Sequence, residues 1–121
     1  MNETFGNYVK ELRESKGLTL RGFAQKLDVS APYVSDVEKG RRGPFSIEYL
    51  EKMVTILKLN ETEKETLFDI AGQAKDDIAP DLPAYMKGKS YISTALRLAR
   101  DTGAGEEEWN KFIEALKERE G

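Results

Sequence analysis

Apolar residues recur every three or four positions along most of the chain, which is the spacing of one face of an α-helix. The first stripe contains Phe5, Val9 and Leu12, and it ends at Lys16 and Gly17, where a glycine is a typical helix stop. No segment alternates apolar and polar residues as a half-buried strand does. The pattern therefore predicts an all-α protein.

Residues that favour helix starts precede the next four stripes. Thr19, Ser30 and Ser46 are each placed to accept a hydrogen bond from a first helical turn, and Thr62 with Glu65 predicts a capping box. These signals indicate a block of five helices with one shared core. The residues expected to face inward are Phe5, Tyr8, Val9, Leu12, Leu20, Phe23, Ala24, Leu27, Val34, Val37, Phe45, Ile47, Leu50, Met53, Val54, Leu57, Leu67, Ile70, Ala71 and Ala74.

The helical pattern breaks where two prolines and three aspartates occur close together. We therefore predict a domain over residues 1–75, a solvated linker over 76–83 and a helical C-terminal segment over 84–121. The last helix has an apolar stripe of its own, which is expected either to pack on its partner helix and on the fifth helix or to form a dimer or partner interface. That stripe comprises Trp109, Phe112, Ile113 and Leu116.

The residue inventory excludes several kinds of site. The 121 residues include no cysteine and no histidine, so a disulfide framework, a zinc finger, a thiolate nucleophile and a histidine base are all excluded. We expect no catalysis, no cofactor and no bound metal. No apolar run approaches the roughly 18 residues of a membrane span, so we expect a cytoplasmic protein that does not bind membranes.

The net charge of −3 is unevenly distributed. Residues 1–60 carry ten basic and eight acidic side chains, whereas residues 61–121 carry nine basic and fourteen acidic ones. Contacts with phosphate groups need cations, so a nucleic-acid site is expected in the first half of the chain.

Residues 18–44 predict two short helices joined by a tight turn at Asp28 and followed by a basic loop. A pair of this kind can place its second helix in the major groove of DNA, which is wide enough for one helix. The segment resembles the helix-turn-helix domain of the lambda Cro/repressor type, or XRE family, and the likeness extends over residues 5–60. The matching residues are Leu18-Thr19-Leu20, Phe23-Ala24, Leu27, Val29-Ser30, Tyr33-Val34-Ser35, Val37-Glu38-Lys39-Gly40, Arg41-Arg42 and Pro44.

The resemblance implies a role for each matching position. Thr19 and Arg21 would contact phosphates from the start of the second helix, and Arg41 and Arg42 would follow the backbone of the duplex. The recognition helix would present Ser30, Ala31 and Pro32 at its start and Tyr33, Ser35, Asp36 and Lys39 along its exposed face.

Three positions depart from the residues that often read bases in this family. Ala31 and Pro32 have no side-chain donor, and Asp36 can only accept a hydrogen bond, for example from a cytosine amino group. We therefore expect sparse direct readout, with DNA shape sharing the discrimination.

The resemblance also implies an ion pair between Arg13 and Glu38, which would hold the recognition helix on the first helix. Loss of Glu38 is expected to lower stability by about 1–3 kcal/mol.

The resulting hypothesis is a transcriptional regulator, most simply a repressor, that binds double-stranded DNA as a homodimer on an inverted repeat. Its two recognition helices would enter major grooves about 34 Å apart. One alternative is an antitoxin-like autoregulator whose C-terminal helices bind a partner protein. Another is an effector-sensing regulator with a pocket around Tyr85, Tyr91 and Trp109.

Overall fold

The computed structural model describes residues 4–120, and over that span it contains eight α-helices and no strand. The prediction of an all-α protein is therefore confirmed. The helices are α1 (Phe5–Ser15), α2 (Leu20–Leu27), α3 (Ala31–Glu38), α4 (Ile47–Ile56), α5 (Glu61–Ala74), α6 (Leu82–Met86), α7 (Ser90–Thr102) and α8 (Glu106–Glu120).

The chain divides into two compact units, Met1–Tyr85 and Met86–Gly121. The first unit contains α1 to α5 and most of α6, and the second contains α7 and α8. None of the helices within the described span is long and apolar enough to cross a membrane.

The core of the first unit forms from the apolar stripes of α1 to α5. Phe23, Leu27, Val34 and Leu50 are completely buried, and each contributes about 1.5–3 kcal/mol to the stability of the fold. One inward-facing prediction was wrong, because Ala74 at the end of α5 is exposed. Phe68 belongs to the core in addition, since α5 buries a wider face than its predicted stripe. The rest of the predicted core is buried or half-buried.

The helix starts agree with the predicted N-cap residues at α2, α3 and α4 and differ at α5. Ser46 is the N-cap of α4, although its side chain makes no capping hydrogen bond. The capping box of α5 joins Asn60 and Glu63, not Thr62 and Glu65, because the N-cap lies two residues earlier than predicted. The turn between α2 and α3 places Asp28 in the left-handed region, with φ of 64°.

Part of the predicted linker packs against α5. The N–H of Asp77 donates to the carbonyl of Gly72 at 2.9 Å, and Ala79 is buried. A Cβ on Gly72 would lie closer than 3.0 Å to the backbone of Ile78, so only glycine permits this approach. This stretch is therefore fixed to the first unit and is not a solvated linker throughout.

The second unit is a helical pair joined at Gly103, which adopts the left-handed backbone that ends α7. Neither helix has a buried residue. A unit of this size cannot cover both helices with its own side chains.

Candidate nucleic-acid interface

The starts of α2 and α3 are capped by hydroxyl groups. Thr19 Oγ1 accepts a hydrogen bond from the N–H of Gly22 at 3.0 Å, and Ser30 Oγ accepts one from the N–H of Tyr33 at 3.2 Å. Each hydroxyl keeps its own proton for donation, and the positive end of the helix dipole lies beside it. Both helix starts are therefore suited to contact an anionic oxygen such as that of a phosphate.

One side of α3 belongs to the core and the other faces solvent. Val34 and Val37 are fully buried, whereas Ser30 and Pro32 are exposed. The remaining predicted contact residues of the helix, Ala31, Tyr33, Ser35 and Asp36, are half-buried, and Lys39 just after it is exposed. The helix can therefore present this face to a large ligand without unpacking.

The predicted ion pair of Arg13 and Glu38 is present in the structure. Arg13 Nε and Nη2 donate to the two carboxylate oxygens of Glu38 at 2.8 and 3.0 Å, and Nη1 donates to the carbonyl of Leu18 at 2.9 Å. The two side chains are only 9% and 6% exposed. The hydrogen bond to Glu38 raises the pKa of the Arg13 guanidinium despite the opposing effect of burial. This contact fixes the end of α3 to α1.

The backbones of α1 and α3 also meet directly. A Cβ placed on Gly6 would lie closer than 3.0 Å to the carbonyl oxygens of Val37 and Glu38. Glycine at this position allows the first turn of α1 to approach the last turn of α3. The direction of α3 is thus set at two places by α1.

The basic loop after α3 folds back onto the helix. The N–H groups of Arg41 and Arg42 both donate to the carbonyl of Asp36, at 2.8 and 3.2 Å. The guanidinium of Arg41 lies 3.8 Å from the Asp36 carboxylate, and that of Arg42 lies over the Tyr33 ring, 5.1 Å from its centroid. Two residues predicted to face DNA bases therefore contact the loop arginines.

A groove of about 900 Å³ is lined by residues from the start of α1, the end of α3 and the loop. Its lining includes the cations Lys10, Lys39, Arg41 and Arg42, together with Ser35. Thr19 and Arg21 are exposed at the start of α2, and neither is among the residues lining this groove. Within the described residues, no acidic cluster could hold a metal ion.

Lys10 lines the groove although it was not among the contact residues predicted from the sequence. It follows Gly6 by one helical turn and precedes Arg13 by another, so it shares the face of α1 that packs on α3. That spacing is the signal that could have identified it.

The apolar stripe of α8 is open to solvent. Trp109, Phe112, Ile113 and Leu116 are 37%, 54%, 44% and 42% exposed, and the Trp109 and Phe112 rings contact edge to face at 6.3 Å. The second unit alone thus leaves this stripe uncovered. Tyr85 and Tyr91, suggested for an effector pocket, are 62% and 68% exposed, so neither ring is enclosed.

The chain is similar in sequence to known transcriptional regulators. The transcriptional regulator DdrOP3 of Deinococcus deserti is 40% identical over 47 residues, which cover 39% of this chain and 36% of that protein. The chain thus spans about a third of the length of that relative. The transcriptional regulator SinR of Bacillus subtilis is 26% identical over 114 residues, covering 94% of this chain and 93% of SinR. Both relatives are named as transcriptional regulators of the helix-turn-helix type.

A solved complex of the SinR and SinI proteins has the same fold, with a TM-score of 0.50 and 24% identity over 97% of this chain and 98% of that one. The family model described as a helix-turn-helix domain matches residues 4–67, which include the caps, the turn and the basic loop described above. By this match over more than half of its length, the chain belongs to the helix-turn-helix family.

Proposed function

We propose that this protein is a transcriptional regulator that binds double-stranded DNA through α3, and that it acts as a repressor. The observation that carries the proposal is the arrangement of α3, whose exposed face lies between a capped helix start and the groove lined by Lys10, Lys39, Arg41 and Arg42. The relatives that match the chain are named as transcriptional regulators of the helix-turn-helix type. A protein that acts on a bacterial chromosome works in the cytoplasm, which is the compartment we propose.

In this proposal, contacts with the phosphates position the protein on the duplex. Thr19 and Arg21 bind one strand from the start of α2, and Lys39, Arg41 and Arg42 bind the other from the loop. Lys10 extends the second set, because it lines the same groove as the loop arginines. The acidic second half of the chain takes no part in these contacts.

In this proposal, base readout falls on the start and middle of α3. Ala31 and Pro32 can contact thymine methyl groups, and the Ser35 hydroxyl can donate to or accept from a base edge. These are few contacts for a sequence-specific protein, so DNA shape supplies further discrimination in this proposal.

We expect Arg41→Ala and Arg42→Ala each to weaken binding to every duplex sequence and to reduce the slope of log affinity against log salt by up to about one unit, because each releases one counterion fewer. Lys10→Ala is expected to have the same effect. The measurement is fluorescence anisotropy with labelled duplexes over a salt series.

Lys52→Ala is the matched control for these variants. It removes one cation from α4, where the ammonium lies over Tyr49 at 5.6 Å and outside the groove. Its salt slope should equal that of the parent protein. Parent-like slopes for all three groove variants would contradict the proposed phosphate contacts.

We further propose that the protein is a homodimer on an inverted repeat, with the apolar stripe of α8 in the interface. The stripe is uncovered in the second unit, and burial of such a surface favours association. The same stripe suits the second candidate function, an autoregulator whose C-terminal helices bind a partner protein.

The double substitution Phe112→Ser and Leu116→Ser is expected to convert the dimer to a monomer at micromolar concentration, because it removes two apolar side chains from the proposed interface. Light scattering gives the mass, and circular dichroism verifies that the helices persist. Lys111→Ser, in the same helix, should leave the mass unchanged. A parent-like mass for the double variant would show that the interface lies elsewhere, and a monomeric parent would favour the partner-binding candidate.

A further inference from the structure

The ring of Tyr33 contacts both the hydrophobic core and the loop after α3. It packs edge to face on Phe45, with ring centroids 5.7 Å apart, and Phe45 is 1% exposed. Phe45 in turn packs edge to face on Phe5 of α1 at 5.8 Å. Tyr33 is therefore held against the buried ring of Phe45, and the Arg42 guanidinium lies over a ring that is fixed in place.

Stacking on an aromatic ring uses the flat face of a guanidinium and leaves its N–H edge available to a second group. That edge can donate two parallel hydrogen bonds to a phosphate. The backbone of Arg42 is fixed as well, since its N–H donates to the carbonyl of Asp36 at 3.2 Å. An arginine held in this way loses less conformational freedom when it binds an anion.

We propose that Tyr33 is a positioning residue, which holds Arg42 ready for a DNA phosphate through its ring and does not read a base through its hydroxyl. The inference rests on the proposed DNA binding and deepens it. Asp36 plays a parallel part for Arg41, whose guanidinium it faces at 3.8 Å. The side chains that read bases are then Ala31, Pro32 and Ser35.

A double-mutant cycle between Tyr33 and Arg42 tests this role. Anisotropy is measured on a duplex selected from random sequences and on a scrambled duplex of equal length. Tyr33→Phe keeps the ring and should bind both within about twofold of the parent. Tyr33→Leu should weaken both by about two- to fivefold, which is the range for an exposed cation–π contact. In the Arg42→Ala background, Tyr33→Leu should cause no further loss.

Titrations are made at a temperature where circular dichroism shows every variant to be folded, because leucine also changes the packing on Phe45. Lys52→Ala, which disrupts the cation–π contact on Tyr49, should bind as the parent does. Additive losses in the cycle would overturn the positioning role alone. The positioning role would also be overturned if Tyr33→Phe reduced the preference for the selected over the scrambled duplex tenfold, because the hydroxyl would then read a base. Failure of the parent to retain any duplex would instead overturn the proposed function.

Discussion

Gly6→Ala is expected to destabilise the first unit by about 3 kcal/mol, since the new methyl group would overlap the last turn of α3. The Cβ would lie closer than 3.0 Å to two backbone carbonyl oxygens, those of Val37 and Glu38. A backbone cannot move aside as a flexible side chain can, so α1 and α3 must separate. The better helix propensity of alanine offsets only about 1 kcal/mol of this cost.

The measurement for Gly6→Ala is chemical denaturation followed by circular dichroism. Gly43→Ala is the control, because a Cβ on Gly43 meets nothing within 4 Å and its backbone is not left-handed. We expect that variant to unfold at the parent's denaturant concentration. Equal midpoints for Gly6→Ala and the parent would show that α1 does not approach α3 as closely as described. DNA affinity, measured where Gly6→Ala is folded, should also fall, because α3 changes direction.

Glu38→Ala is expected to destabilise the same unit by about 3 kcal/mol, at the upper end of the range expected from the sequence. The substitution removes two hydrogen bonds from Arg13 and leaves that guanidinium buried and without its counter-charge. For a unit of this size, the loss corresponds to a fall in melting temperature of about 12 to 24 °C. Glu38→Gln keeps a hydrogen-bond acceptor and should fall between the parent and the alanine variant.

The exposed ion pair of Lys16 and Glu63 supplies the control for Glu38. Its side chains are 30% and 24% exposed, and the two charged atoms lie 3.2 Å apart. Solvent screens such a pair, so Lys16→Ala should cost below about 1 kcal/mol. Similar melting temperatures for Lys16→Ala and Glu38→Ala would mean that burial does not increase the contribution of the Arg13–Glu38 pair to stability. The comparison separates the effect of burial from the effect of losing a charge.

Local chemistry was sufficient to predict most of the fold. Apolar spacing indicated the helices, Thr19 and Ser30 indicated where α2 and α3 begin, and Asp28 tolerates the left-handed turn between them. Such features depend on residues within a few positions of one another. The error at Thr62 has the same origin, because Asn60 and Thr62 both favour a helix start and stand two positions apart.

Most residues of the candidate site could be predicted from the sequence. The contacts between them could not. The resemblance placed Tyr33 and Asp36 on a face for base contact, but the loop folds back so that both contact arginines. Lys10 joins the cationic groove only because α1 packs across the end of α3. That packing depends on Gly6, which has no side chain to keep α3 away. The sequence shows the glycine but does not indicate which helix lies against it.

Residue order alone was thus enough for an all-helical chain, the two capped helices and the basic loop, since these follow from short-range hydrogen bonding and apolar periodicity. Only the tertiary structure decided which cations share a groove. It also decided which polar side chains remain available to a base. Such proximities join segments far apart in the chain, and they arise from close packing of the core, which no local pattern encodes.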